Sequence, residues 1–181
     1  MKRQYTKKEI ETLLKTMTVV VDTREQVWSH IESGFRAIKR PYERGKLDYG
    51  DYTCKLPDLD GVPVVLSDEI VVERKANLDE LAVNFTADRK RFEAEFVRAK
   101  SAGVKIFLLI ENSSWADILS GNYRSQIAPK AFAASIMSWQ TEYNITVIFS
   151  RPEDSARIIS GHLFYWLRKR LESGATLWNP T

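Results

Sequence analysis

The chain has 181 residues, of which 44% are hydrophobic and 28% charged, a balance that supplies one sizeable core and excludes a low-complexity or disordered chain. One cysteine, Cys54, excludes an internal disulfide, and no apolar run approaches the roughly 20 residues of a membrane span. The net charge of +3 hides an acidic centre between two basic flanks: residues 1–50 carry 11 Lys and Arg against 7 Asp and Glu, residues 51–80 carry 3 against 8, and residues 81–181 carry 13 against 9.

The basic start of the chain has no apolar stretch behind it, so no secretory signal is expected, and a reducing, cytoplasmic or nucleoid-associated setting is the simplest reading. Residues 6–16 place Ile10, Leu13, Leu14 and Met17 at helical spacing behind Thr6, a capping residue type, which predicts a helix. The β-branched run 18–21 reads as a buried strand ending at Asp22. Residues 28–35 are ambiguous and compatible with a short helix closed by Ser33-Gly34; a strand at 36–40 and a turn from Pro41 to Gly45 would follow. Strand patterns recur at 52–56, 62–66 and 69–74, the first two joined by the hairpin-type turn Pro57-Asp58-Leu59-Asp60-Gly61. Cys54 fits such a strand as a small buried side chain rather than a nucleophile.

Helical patterns follow at 78–83 and 88–102, with Phe92, Phe96 and Ala99 on the buried face of the second and Gly103 as its stop. Residues 104–110 form a near-continuous apolar run, expected for a central strand covered on both faces. Ser114 caps a short helix through Leu119, Pro129 opens one to about Tyr143, and residues 145–149 are another buried strand. Pro152 starts the last helix, with Glu153 and Asp154 in its first turn and Arg168, Lys169 and Arg170 near its end, as the helix dipole favours. Alternating strands and helices predict an α/β fold with a mixed central sheet flanked by helices. The expected organisation is a helical extension over residues 1–17, one domain over 18–173 and a tail over 174–181.

Three short segments carry chemistry: Asp22-Thr23-Arg24-Glu25 after a buried strand, Gly50-Asp51-Tyr52 entering a strand, and Glu73-Arg74-Lys75 at a strand end, followed by Asp79. In a strand, residues two apart share a face, so Glu73 and Lys75 project side by side and Arg74 points the other way. Asp51 begins a strand that can pair in the same sheet. Two carboxylates converging from neighbouring strand ends suit Mg²⁺ or Mn²⁺, and the lack of a His or Cys cluster argues against zinc. Such a metal activates water and stabilises the leaving oxygen of a phosphodiester, while Lys75 can hold the attacking water or offset developing charge. The short acid…acid-x-Lys pattern alone is weak, since most such pairs are surface ion pairs.

The longer string is specific. Gly50-Asp51, then Glu73-Arg74-Lys75, then Asp79 after three residues, resembles the G-D-x(n)-E-R-K-x(3)-D signature of the XPF-type nuclease family. Asp22-Thr23-Arg24-Glu25 resembles the family's upstream D-x-R-E element. Leu47-Asp48-Tyr49-Gly50-Asp51-Tyr52 is similar to its L-x-x-G-D-Y segment, and Asp88-Arg89 to a D-R element opening the next helix; order and spacing agree from about residue 18 to 150. The resemblance implies a restriction-endonuclease-like, PD-(D/E)XK fold and a metal-dependent endonuclease that cuts branched DNA at flaps, forks or junctions in repair or recombination. It implies metal ligation by Asp51 and Glu73, with a share from Asp22 and from the backbone carbonyl of Arg74, and a catalytic role for Lys75. Arg24, Glu25, Arg74 and Asp79 are implied in or around the site. Arg24 is a candidate phosphate clamp, and Arg74 and Asp79 are alternatively a structural pair at the strand–helix junction. The tandem helix-hairpin-helix domain of many members is not legible in the roughly 30 residues after Phe149, so a stand-alone domain of phage, archaeal or accessory type is expected. A Holliday junction resolvase, a duplex-nicking nuclease and a non-cutting DNA-binding subunit are the alternatives; the intact carboxylates argue against the last.

Arg36, Lys39, Arg40, Arg44 and Lys46, interleaved with Tyr42 and Tyr49, are candidate DNA contacts, as are Arg89, Lys90 and Arg91. The last helix carries more apolar residues than one face needs (Ile158, Ile159, Leu163, Phe164, Trp166, Leu167, Leu171), which predicts a homodimer through it. His30 and His162 read as packed or surface residues rather than ligands.

Overall fold

The computed structural model describes residues 4–57 and 63–174. Most of the expected hairpin turn at 57–61, and the tail after Gly174, lie outside the described residues. Thr6 caps α1 (Lys7–Thr16) in a capping box: its hydroxyl accepts the Glu9 N–H, and the Glu9 carboxylate accepts the Thr6 N–H. The chain continues through β1 (Thr18–Asp22), α2 (Ser29–Ala37), β2 (Tyr42–Gly45), β3 (Tyr52–Leu56), β4 (Val64–Val65) and β5 (Ile70–Lys75). It then runs through α3 (Leu78–Phe85), α4 (Arg89–Ser101), β6 (Lys105–Glu111), α5 (Trp115–Ser120), α6 (Pro129–Tyr143), β7 (Ile145–Ser150) and α7 (Pro152–Glu172).

The strands form one sheet in the order β2-β1-β3-β5-β6-β7, with β4 paired to β3. Neighbours β2/β1, β5/β6 and β6/β7 are parallel, whereas β3 runs antiparallel to both β1 and β5. The carboxyl ends of β1, β2, β5, β6 and β7 therefore share one edge of the sheet, together with the amino end of β3. That edge is where open α/β sheets bind ligands, and it gathers Asp22, Asp51, Lys75 and Glu111.

Helices cover both faces. Val19, Val21, Tyr52, Cys54, Ile70 and Val72 pack with α1, α2 and α7 through Ile10, Leu14, Ile31, Phe35, Leu163 and Leu167. Val71, Ile106, Leu108 and Ile110 pack on the other face with α3, α4, α5 and α6 through Leu81, Phe85, Phe92, Phe96, Ile118, Phe132 and Trp139. This is the expected α/β architecture. Ile159, Leu163, Leu167 and Leu171, four of the seven apolar residues counted on α7, are buried in the core shared with α1 and α2, and Ile158, Phe164 and Trp166 pack partly buried against it.

The region 28–45 departs from expectation. α2 runs through Ser33-Gly34 to Ala37, and the strand lies at Tyr42–Gly45 rather than at 36–40. Gly34 is a close-approach residue rather than a stop, because a Cβ there would lie 2.5 Å from the Cβ of Ala156 on α7. The reversal comes instead at Lys39, with φ 55°, and β2 escapes the apolar pattern because it is an edge strand with only β1 beside it. The strand expected at 62–66 is present in the described residues only as the pair Val64–Val65.

Close helix contact at Gly34 sets a stability test. Gly34→Ala is expected to lower stability by about 1–3 kcal/mol, as overpacking does, and Ala156→Gly in the same chain to recover part of the loss. Urea denaturation of the three proteins measures both effects.

Candidate active site

Gly50 brings the chain over β5. Its φ is +62°, and a Cβ there would lie 2.8 Å from the Val71 Cβ and 3.1 Å from the Val72 carbonyl oxygen, so only glycine fits without strain. The next residue, Asp51, donates its N–H to the Val72 carbonyl (2.9 Å) and takes the Arg74 N–H on Oδ2 (2.7 Å). Its carbonyl accepts the Asp22 N–H at 2.8 Å. The Asp51 backbone is thus pinned between β1 and β5, and its side chain is held by β5 alone. Burial first, and the charge of Glu73 next, push its carboxyl well above the usual carboxylate range.

Glu73 and Lys75 share the face of β5 that packs on α3 and α4. Lys75 Nζ donates to Glu73 Oε1 at 2.7 Å and sits 4.9 Å from the centroid of Phe92 on α4. Burial alone lowers the lysine pKa, but the charge and hydrogen bond of Glu73 outweigh it and hold Lys75 above its ordinary value. The sequence did not single out Glu95, yet its carboxylate lines the same small cleft with Tyr49, Gly50 and Glu73 and takes the Gly50 N–H at 3.4 Å. Burial and then the Glu73 charge raise its carboxyl. Its place beside Phe92 and Phe96, on the rim of the buried face of α4, was the available signal.

Asp22 is buried, and both oxygens are already engaged. Oδ1 accepts the Arg24 N–H (2.7 Å) and Nε–H (2.8 Å), while Oδ2 accepts Arg24 Nη2 (3.0 Å) and the Leu47 N–H (2.7 Å). Burial raises its carboxyl, but these bonds together hold it below the ordinary value. Arg24 also donates to the Leu47 carbonyl at 2.9 Å. The pair closes the loop after β1 onto the segment after β2, and its exposed guanidinium stays at the rim of the site.

Arg74 points to the opposite face, under α2 and α7. Its Nη2 donates to Glu111 Oε2 at 2.7 Å and its Nη1 to Glu25 Oε1 at 3.2 Å. Glu111 Oε1 in turn takes Ser155 Oγ (2.5 Å) and lies 2.9 Å from His30 Nε2. Burial works against the Glu111 charge, but the bonds from Arg74, Ser155 and His30 hold its carboxyl below the usual range; burial leaves that of Glu25 raised. The alternative pairing of Arg74 with Asp79 is not formed. Strand alternation turns Arg74 away from α3, and Asp79 instead takes the Arg124 N–H (2.6 Å) and pairs with its Nε (3.3 Å). Glu111 was missed in the sequence; its signal was a carboxylate placed directly after a buried apolar strand.

The candidate DNA-contact residues divide into separate surfaces. Arg44 donates to the Thr23 carbonyl at 2.7 Å and stacks 4.9 Å from Trp28, so it and Lys46 lie at the site edge. Arg89, Lys90 and Arg91 open α4 ahead of Phe92; Arg89 lies over the Trp139 ring and Arg91 pairs with Asp88. Lys39 and Arg40 sit at the far end of β2 and line a groove of about 410 Å³ with Leu14, Lys15, Phe164 and Arg168. Arg36 is held by Glu32 and Tyr42 on α2 and β2.

Among the described residues, no three His, Cys, Asp or Glu side chains form a ready metal cage. Mg²⁺ does not need one, since it binds one or two carboxylates and keeps several waters. Asp51 and Glu73 fit that demand, and the repulsion between their charges is what a divalent cation relieves.

The sheet order and its two helical layers define a restriction-endonuclease-like fold. A family model for the ERCC4 domain matches residues 21–161, and the chain belongs to that family, the XPF-type domain its signature resembles. Among solved structures it is similar to "XPF from Aeropyrum pernix", with TM-score 0.57 and 22% identity over 82% of this chain and 61% of that one. It is also similar to "XPF from Aeropyrum pernix, complex with DNA", with TM-score 0.60 and 24% identity over 85% and 66%. The chain thus spans under two thirds of the length of these relatives. No curated protein matches it. Among the described residues no helix is long and apolar enough to cross a membrane.

A buried carboxyl whose pKa is raised costs stability once it ionises, and the cost grows as pH rises above its unfolded value. Asp51→Asn is therefore expected to raise the melting temperature at neutral pH without divalent ions. Mn²⁺ is expected to stabilise the wild type and to leave the variant unchanged. Calorimetric melting with and without Mn²⁺ checks both.

Proposed function

We propose that this chain is a Mg²⁺- or Mn²⁺-dependent DNA endonuclease that cuts branched DNA, at flaps, forks or junctions, and so serves repair or recombination in the cytoplasm. The observation that carries the reading is the half-buried Asp51 carboxylate and the buried Glu73 carboxylate, close enough at one sheet edge for the charge of one to raise the other, with the Lys75 ammonium bonded to Glu73. ERCC4 family membership and the likeness to XPF from Aeropyrum pernix in complex with DNA support it.

When bound, the cation supplies a water of lowered pKa and a counter-charge for the phosphate. Asp51 and Glu73 would hold it, with the Arg74 carbonyl as a further ligand and a share from Asp22, whose carboxylate already accepts from Arg24 and the Leu47 N–H. Lys75 orients the attacking water or neutralises the charge that develops on phosphorus. Arg24, exposed at the rim, clamps a neighbouring phosphate, while Glu25, Arg74 and Asp79 support the frame. Arg44 and Lys46 border the site and, with Arg89, Lys90 and Arg91 on α4, follow the backbone of the bound arms; Arg36, Lys39 and Arg40 need DNA that wraps beyond the edge. A homodimer through α7 rests on Tyr165, 63% exposed, with half-buried Phe164 and Trp166 beside it.

The test is a cleavage panel in Mg²⁺ or Mn²⁺ on single strand, duplex, flap, fork and four-way junction. The wild type is expected to cut a branched substrate in preference to duplex. Asp51→Ala is expected to bind the same DNA and cut it at least a hundredfold more slowly. Equal cutting by the two proteins removes the site assignment; preference for the four-way junction or for plain duplex turns the reading to a resolvase or a nicking enzyme. Light scattering on the same wild-type sample settles the dimer, which a mass of one chain excludes.

A further inference from the structure

Arg74 is held by more than its position in the signature. Its guanidinium lies in a buried polar knot to which four other elements contribute: Glu25 after β1, Glu111 at the end of β6, His30 in the first turn of α2 and Ser155 in the first turn of α7. Glu111 is the centre of the knot. It is 1% exposed and accepts from Arg74 and Ser155, with His30 also in hydrogen-bond contact. A buried arginine with this carboxylate removed is an uncompensated charge, and its strand end is free to shift. That strand end is the one whose N–H, at Arg74, holds Asp51 Oδ2 at 2.7 Å. On its other face the same strand end carries Glu73 and Lys75.

We infer that Glu111 is a positioning residue of the active site, which sets the placement of the Asp51 and Glu73 carboxylates through the Arg74 guanidinium although it touches neither of them. The inference rests on the nuclease reading above. His30 and Ser155 fix the Glu111 carboxylate from the two helices packed on that face, so the spacing of the reactive pair depends on how α2 and α7 sit against the sheet. Groups around a metal site that orient its ligands in this way typically change metal affinity or activity by 10–100-fold when altered.

The test compares wild type, Glu111→Gln, Arg74→Lys and the double variant, with Ser155→Ala as a milder loosening of the same carboxylate. Measured are single-turnover cleavage, DNA binding in EDTA, and Mn²⁺ binding by electron paramagnetic resonance without DNA. Glu111→Gln is expected to cut about tenfold more slowly and to bind Mn²⁺ correspondingly more weakly, with DNA affinity in EDTA unchanged. The double variant is expected to be no slower than Arg74→Lys, because the two residues act as one unit. Ser155→Ala is expected to change cleavage and Mn²⁺ binding in the same direction by a smaller factor, which keeps the test open if Glu111→Gln does not fold. Wild-type cleavage and Mn²⁺ affinity in Glu111→Gln, or in Ser155→Ala where the former does not fold, overturn the inference. So do additive costs in the double variant. A wild type that neither cuts DNA nor binds Mn²⁺ instead defeats the nuclease reading itself.

Discussion

Much of this molecule hangs on one junction, where β3 meets β5 at Tyr52 and Val72 and the Arg74 N–H turns to the Asp51 carboxylate. That contact brings an acid from the start of one strand beside an acid from the end of another. It requires Gly50, since any side chain there collides with Val71. It requires β3 to run against both neighbours, because only then does its first residue share an edge with the last residues of β1 and β5. Helices pack on both faces of the sheet behind that edge.

The electrostatics of the edge follow from the alternation of a strand. Glu73 and Lys75 fall on the α4 side, where Phe92 shields the ammonium and Glu95 adds a further negative charge. Arg74 falls on the α7 side, where two acids meet it. The result is an arginine well compensated on one face and, on the other, carboxylates that outnumber the single lysine. Burying like charges without a full set of counter-charges costs stability, and functional sites are where folds carry such a cost. An excess of negative charge beside one ammonium is what a divalent cation and a polyanionic substrate can exploit together.

The central strands and long helices were legible because burial on one or two faces leaves a strong periodic trace. Residues 52–56 and α6 from Pro129 to Tyr143 are present with the expected bounds. The short helix compatible with 28–35 is present as α2, but its end and the stretch up to residue 45 were not legible, because Gly34 serves a contact with Ala156, a residue far along the chain, and looks locally like a terminator. β2 was hidden for a related reason: an edge strand of Tyr, Glu, Arg and Gly has no buried face to announce it. In the site, Asp51, Glu73 and Lys75 stood out through strand spacing and the longer signature. Glu111 did not, because it meets Arg74 across 37 positions, and neither strand pattern nor motif reports a pairing of that range. Asp22 stood out by motif, and three of its four accepted hydrogen bonds come from Arg24 two residues on; the fourth, from the Leu47 N–H, needs the segment after β2 to fold over it.

The most direct test of the central claim is to locate the cation. Anomalous difference density from crystals of the wild type soaked in Mn²⁺ is expected to show a peak between the Asp51 and Glu73 carboxylates, within about 2.5 Å of an oxygen of each. No peak, or a peak bound only to surface acids away from this edge, would contradict the account.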